Sequence, residues 1–131
     1  LGLEQIKRLD MTIVHRRKNL KYWLDFLDPD KYHTGYSSEG NSNFSLPLIL
    51  KNKNIIRPVC DILETNSVEY RLGTAGGGNQ ARQPYLEKFN FKISGQLNNA
   101  NYIHENGLYI GNHSEINRER IKDLCEKLND I

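Results

Sequence analysis

The stretch Leu72–Leu86, LGTAGGGNQARQPYL, decides between two kinds of α/β fold. Gly76, Gly78 and Ala81 match the dinucleotide-binding pattern G-x-G-x-x-G/A. That pattern binds a pyrophosphate only where a long helix follows the glycines and points its N-terminus at the ligand. Here Pro84 and a polar stretch follow instead, and no glycine-lysine-Ser/Thr triplet completes a P-loop. The sequence therefore argues against a self-contained Rossmann site.

Two interpretations of this glycine loop remain open. The loop is either a flexible turn or a segment that lays its backbone against a substrate bound in a larger site. Adjacent glycines permit close approach and unusual backbone dihedral angles. In the second interpretation Asn79, Arg82 and Gln83 supply hydrogen bonds, and Arg82 can bind a phosphate through two parallel bonds.

Outward from the loop, hydrophobic periodicity predicts three short strands separated by helices. The predicted strands cover residues 44–50, 68–72 and 108–110. The predicted helices cover 1–28 and 56–64, a short segment with Asn98 as its N-cap that ends near residue 106, and a last segment capped by Asn117. Pro47 restricts the first strand to a sheet edge or a bulge, and residues 89–96 are ambiguous. We therefore predict an α/β (α+β) sandwich, a sheet of about three strands with helices on one face.

The first predicted helix has an apolar stripe and ends at Asp28-Pro29. The stripe comprises Leu3, Ile6, Ile13, Leu20, Leu24 and Leu27. The first residues already have the pattern of a helix interior, with no initiator Met or N-cap before them. We therefore expect a fragment of a longer protein, a single domain over 1–131 with a connector helix at 1–28 and a small α/β sandwich at 44–131.

Composition excludes several classes of protein. The chain has 131 residues and a net charge of +2, from 18 basic and 16 acidic side chains. Such a balance does not point to a nucleic-acid or membrane partner, and no apolar run approaches the length of a membrane span. Cys60 and Cys125 stand far apart, with no secretory signal. They predict free thiols in the reducing environment of the cytoplasm.

No catalytic constellation or metal-ligand spacing stands out in the sequence. His104 and His113 flank the stretch ENGLYIGN, and each is either a solvated or capping residue or lies at a site edge. The basic run at residues 16–18 is typical of a solvated helix face. We expect Trp23 to pack against the domain.

Four stretches, in order, resemble the DegT/DnrJ/StrS family of sugar aminotransferases. They are LGLEQIKRLD with RRKNLKYW, NFSLPLIL, VEYRLGTAGGGNQARQP, and LNNANYIHENGLYIGNHSEI. Together they cover essentially the whole chain. Their residue pattern is most similar to the branch of the family that makes deoxysugars for surface polysaccharides such as lipopolysaccharide. That branch includes 4-keto-6-deoxyhexose 3-dehydratases, in which a histidine replaces the usual cofactor lysine.

The resemblance implies the small C-terminal domain of a fold-type I enzyme that uses pyridoxal phosphate, acts on nucleotide-linked 4-keto sugars and works as a homodimer. Gly78, Asn79, Arg82 and Gln83 match the loop expected near the nucleotide-sugar. Asn112 and His113 match a second loop near the site mouth.

No residue of the chain matches the family's cofactor lysine or histidine, so the resemblance implies no catalytic residue here and places the cofactor in the large domain. The parent protein would be the enzyme, an aminotransferase or a 3-dehydratase, and this chain alone would be inactive. The sequence departs from the family pattern at Leu72-Gly73, where a proline is expected, and in the glycine-rich stretch 74–77. The alternative is a free-standing binding module for RNA or a small ligand, using the basic face Arg16–Lys21 and the glycine loop.

Overall fold

The computed structural model describes residues 2–73 and 78–131. Five α-helices and three β-strands alternate along these residues. In chain order they are α1 (Gly2–Ile6), α2 (Leu9–Phe26), β1 (Ser45–Ile49), α3 (Ile56–Thr65), β2 (Tyr70–Leu72), α4 (Asn98–Asn106), β3 (Gly107–Gly111) and α5 (Arg118–Asn129). Short 3₁₀ turns cover Lys53–Ile55, Gln80–Arg82 and Pro84–Lys88.

The three strands form one antiparallel sheet in the order β1-β3-β2. β3 is central, with Ile110 opposite Leu46 of β1 and Leu108 opposite Leu72 of β2. β1 lies at an edge of the sheet. An edge strand pairs on one side only, so it can accommodate Pro47, which has no N–H to donate. The edge position predicted from Pro47 is confirmed.

The sheet buries one face against helices. Alternate residues of the strands point inward, and Leu46, Leu48, Leu108 and Ile110 are all at most 5% exposed. They share a core with buried residues of α2, α3 and α5, which include Leu20, Trp23, Val59, Leu63, Ile121, Cys125 and Leu128. The mixed fold class, with helices on one face of a three-stranded sheet, is confirmed.

The predicted first helix is divided into α1 and α2 by a turn at residues 7–8. Its apolar stripe is also divided: Leu20 and Leu27 are buried, whereas Leu3 and Ile6 are exposed. Trp23 is fully buried, as expected, and its indole Nε1 donates to the Pro47 carbonyl oxygen at 2.7 Å. Only the second half of the first helix therefore contributes to the core.

Two asparagines were predicted to cap helices, and one prediction is wrong. Asn117 caps α5, since its side chain accepts a hydrogen bond from the Arg120 N–H. Asn98 is instead the first residue of α4, and its side-chain amide donates to Gln96 Oε1. The helix begins one residue earlier than a cap at Asn98 requires, and Leu97 occupies the N-cap position without a side-chain bond.

Two ionisable groups lie in the core and stay neutral there. Burial, with the nearby carboxylate of Asp28, raises the pKa of Tyr32 to about 12, so its hydroxyl remains a donor to the Leu128 carbonyl oxygen at 2.6 Å. Burial raises the pKa of the Cys125 thiol to about 12 as well. Cys60 and Cys125 are both free and buried, which confirms the predicted free thiols.

Within residues 2–73 and 78–131, no helix is long and apolar enough to cross a membrane. The same residues contain no group of three or more His, Cys, Asp or Glu side chains that could hold a metal ion.

Candidate functional site

The ends of the glycine loop meet over α4. The Gly78 N–H donates to the Gly73 carbonyl oxygen at 2.9 Å, which closes the loop at its base. A Cβ added at Gly78 would lie 2.6 Å from His104 Nδ1, and one at Gly73 would lie 2.7 Å from the His104 carbonyl oxygen. Both positions therefore require glycine, because any side chain would push the loop off α4. Gly76 and the divergent stretch 74–77 lie outside the described residues.

Asn79 anchors the loop on α4 and is itself 5% exposed. Its N–H donates to His104 Nδ1 at 3.3 Å, and its side-chain amide donates to Asn101 Oδ1 at 2.8 Å. Its Oδ1 accepts from the Ala81 N–H and so starts the turn Gln80–Arg82. These bonds occupy both ends of the side-chain amide and hold the loop in place.

Arg82 is the charged group that the anchored loop presents to solvent. Its guanidinium Nη1 lies 3.0 Å from Glu105 Oε1 of α4, and its side chain is 43% exposed. A guanidinium has five N–H donors, so one contact to a carboxylate leaves capacity to bind an anion. Gln83 follows in extended geometry between two 3₁₀ turns and is half-buried.

Asn112 lies at the other end of β3 and is 1% exposed. Its side-chain Nδ2 donates to the carbonyl oxygens of Arg16 at 3.1 Å and Asn43 at 2.9 Å. Its Oδ1 accepts from Asn19 Nδ2 at 3.0 Å. Every polar atom of the side chain is used to join α2, the segment before β1 and the end of β3, so these contacts give Asn112 an architectural role.

His113 is exposed and lies on the rim of a cleft of about 580 Å³. The cleft lies between α5 and the strands β2 and β3, and Arg71 and Arg120 also line it. The backbone carbonyl of His113 accepts from Asn19 Nδ2 at 2.9 Å. The cleft lining includes none of the four predicted loop residues between Gly78 and Gln83.

The six residues that the resemblance assigns to substrate binding therefore fall into two groups. Gly78, Asn79, Arg82 and Gln83 lie beside the start of β3, whereas Asn112 and His113 follow its end. A strand of this length separates them by roughly 14 Å. The chain by itself does not bring the two groups together, and their binding role stays a prediction.

Sequence reasoning placed His104 at a possible site edge but missed its two neighbours on α4, Asn101 and Glu105, that hold the loop with it. Asn101, His104 and Glu105 all contact residues 79–82. Their spacing of three and four residues places them on one face of a helix. A polar face on a predicted helix just before a buried strand was the signal available in the sequence.

The basic run of α2 is tied into the fold. Arg17 Nε donates to the Asn41 carbonyl oxygen at 2.8 Å, and the Arg16 carbonyl accepts from Asn112. These bonds hold the segment that leads into β1. They favour the interpretation of a structural, partly solvated helix face over a nucleic-acid surface.

Comparison with known proteins gives matches over almost the whole chain. The model of the DegT/DnrJ/EryC1/StrS aminotransferase family matches residues 1–129. GDP-4-keto-6-deoxy-D-mannose 3-dehydratase of Escherichia coli O55:H7 is 32% identical over 117 residues, which is 86% of this chain and 30% of that protein. The protein of the same name from Yersinia pseudotuberculosis is 31% identical over 128 residues, 95% of this chain and 32% of that protein.

A solved structure agrees with the sequence matches. The structure of the E. coli GDP-4-keto-6-deoxy-D-mannose 3-dehydratase with bound hydrated PLP superposes with a TM-score of 0.74 at 30% identity. The match covers 97% of this chain and 33% of that one. The chain thus spans about a third of the length of the relatives that it matches.

Proposed function

Because the chain belongs to the DegT/DnrJ/EryC1/StrS aminotransferase family, we propose that it is the small C-terminal domain of a PLP-dependent enzyme acting on a nucleotide-linked 4-keto-6-deoxy sugar. The observation that carries the proposal is the match, along 97% of the chain, to one third of a PLP-bound 3-dehydratase. In this proposal residues 1–28 connect to a large cofactor domain and residues 44–131 form the small sandwich. The full-length enzyme is a homodimer in the cytoplasm that serves surface polysaccharide synthesis.

The described residues do not fit the cofactor itself. Pyridoxal phosphate needs a group that holds its aldehyde carbon and donors that cradle its phosphate. The cleft between α5 and the strands β2 and β3 has no lysine in its lining, and its two arginines, Arg71 and Arg120, share that lining with acidic residues. The cofactor therefore belongs to the large domain, and no chemical step is assigned to a residue of this chain.

The contribution of this chain is to bind and orient the nucleotide-sugar. Asn79 and His104 fix the loop, and Arg82 then presents a guanidinium that suits a phosphate of a nucleoside diphosphate. Gly78 and Gln83 lie on the same anchored loop. Closure of such a loop over a substrate would also exclude water from the reacting carbon. His113 keeps the same predicted role at the site mouth, with Asn112 as its support.

Of the two reactions open to the family, we propose 3-dehydration rather than amino transfer. Both curated relatives are named 3-dehydratases. The reaction would replace the 3-hydroxyl of the sugar by hydrogen, with the two electrons supplied by the amino donor, and would keep the 4-keto group. Amino transfer would instead replace the 4-keto group by an amine and keep the 3-hydroxyl.

The product separates these proposals. The full-length polypeptide that contains this chain is incubated with GDP-4-keto-6-deoxy-D-mannose, pyridoxal phosphate and an amino donor, and the nucleotide-sugar is analysed by mass and NMR. We expect loss of the 3-hydroxyl. A 4-amino sugar would leave the family role intact and reject dehydration, and unchanged substrate with no PLP absorbance in the protein would reject the proposed function.

A further inference from the structure

Residues 89–94, here called the alternating segment, have the alternating apolar and polar pattern of a strand but form no strand in the structure. Phe89, Phe91 and Ile93 are 64%, 41% and 57% exposed, and polar residues occupy the positions between them. In an extended chain, alternate side chains point to the same side. When extended, the alternating segment would present one apolar face and one polar face, as a half-buried strand does.

Beyond Phe89, whose N–H donates to the Leu86 carbonyl oxygen, the backbone of this segment is unpaired within the described part of the chain. Phe89 has extended dihedral angles, φ −117° and ψ 140°, and the run ends at Gly95, whose φ is +76°. Among the hydrogen bonds between described residues, no backbone bond involves residues 90–96. A strand edge with free N–H and C=O groups is a template for pairing with another strand.

The segment is also detached from the core. All ten residues from 87 to 96 are exposed, although three of them are large and apolar. A contiguous apolar patch on a soluble domain usually marks an interaction surface. Aromatic side chains gain most from such burial, because each removes a large apolar area from water.

We propose that the alternating segment docks as a strand on the large domain of the full-length enzyme. This inference rests on the proposed function in one respect, namely that a larger domain accompanies the chain. Two thirds of the length of each relative has no counterpart here, which leaves a domain larger than this one to provide the surface. The segment begins six residues after Gln83, so docking it would also fix the end of the glycine loop.

A second copy of this chain is a poorer occupant. Two alternating segments paired with each other would form a two-stranded ribbon with no sheet behind it. Such ribbons are at best marginally stable in water. Addition to the edge of an existing sheet gains the same backbone bonds and also buries the aromatic face against the domain behind that sheet.

Hydrogen exchange of the backbone amides in the full-length enzyme tests the docking. We expect amides of residues 90–94 to exchange about 100-fold or more slowly than in an unfolded peptide, with and without nucleotide-sugar. Phe91→Ser should reduce this protection about 10- to 100-fold, because it removes one buried aromatic side chain. Lys92→Ser, one residue along on the polar face, is the matched control and should leave the protection unchanged.

Three results would overturn the docking proposal. They are exchange at the unfolded rate in the full-length enzyme, protection that appears only when nucleotide-sugar is added, and protection that disappears on dilution as the oligomer dissociates. Ile93→Ser provides a second variant on the apolar face if Phe91→Ser fails to fold. Protection without sugar turnover would reject the proposed function and keep the docking, whereas turnover with unprotected amides would do the reverse.

Discussion

Two buried asparagines, Asn79 and Asn112, lie near opposite ends of β3, and they bond to residues at very different separations along the chain. Asn112 bonds to residues up to 96 positions away and joins three separate elements. Asn79 bonds to residues no more than 25 positions away and ties one loop to α4. The loop that Asn79 anchors carries an exposed guanidinium, that of Arg82.

This difference gives Asn112 an architectural role and leaves the predicted binding role to the Asn79 end. Both asparagines were assigned to substrate binding by resemblance. Asn112 closes the fold, so its loss should destabilise the whole domain. Asn79 and its neighbours shape one surface, so changes there should be local and should affect ligand binding more than folding.

The largest expected effect is that of Asn112→Ala. The change removes the side-chain partner of the Asn43 carbonyl and of one N–H of the Asn19 amide, and also the bond to the Arg16 carbonyl. Each buried group left unsatisfied costs about 1–3 kcal/mol. We expect the free energy of unfolding to fall by about 3 kcal/mol or more, measured by urea denaturation. Asn98→Ala removes an exposed amide and is the control; similar values for both variants would contradict the architectural role of Asn112.

An intermediate effect is expected for Gly78→Ala. The new Cβ would lie 2.6 Å from His104 Nδ1 and 2.8 Å from the Gly73 carbonyl oxygen. Relieving that overlap should cost about 1–3 kcal/mol, confined to the loop and α4. Amide exchange should accelerate at residues 79–82 but not at β1. Gly35→Ala adds a methyl group to open space and should change neither stability nor exchange. Unchanged amide exchange at residues 79–82 in Gly78→Ala would contradict the local role of the Asn79 end.

The smallest effect on stability is expected for Glu105→Ala. The ion pair with Arg82 is almost half exposed on both sides, and such pairs contribute about 0–1 kcal/mol. Asp61→Ala, which removes a comparable exposed pair with Arg57, should give a similar small change in thermal unfolding. A fall in the free energy of unfolding above about 2 kcal/mol for Glu105→Ala alone would mean that the contacts of Arg82 also support the fold.

The sequence was sufficient to predict the fold because its signals are local. Pro47 placed β1 at an edge, Asn117 marked the start of α5, and the apolar periodicity located all three strands. The site could be predicted only in part, because His104 and Asn79 are 25 residues apart and meet only through the antiparallel pairing of β2 with β3. The bonds from Asn112 to Arg16 and Asn43 depend on tertiary packing, and no pattern along the chain encodes them.

The most direct test of the central claim is the KM for nucleotide-sugar in the full-length enzyme carrying Arg82→Ala, with Arg57→Ala as control. Both variants remove an arginine from an exposed ion pair. A lost charged contact to phosphate should raise the KM about tenfold or more in Arg82→Ala, with Arg57→Ala close to the unmodified enzyme. An unchanged KM in Arg82→Ala would contradict the proposal that the anchored loop binds the nucleotide-sugar.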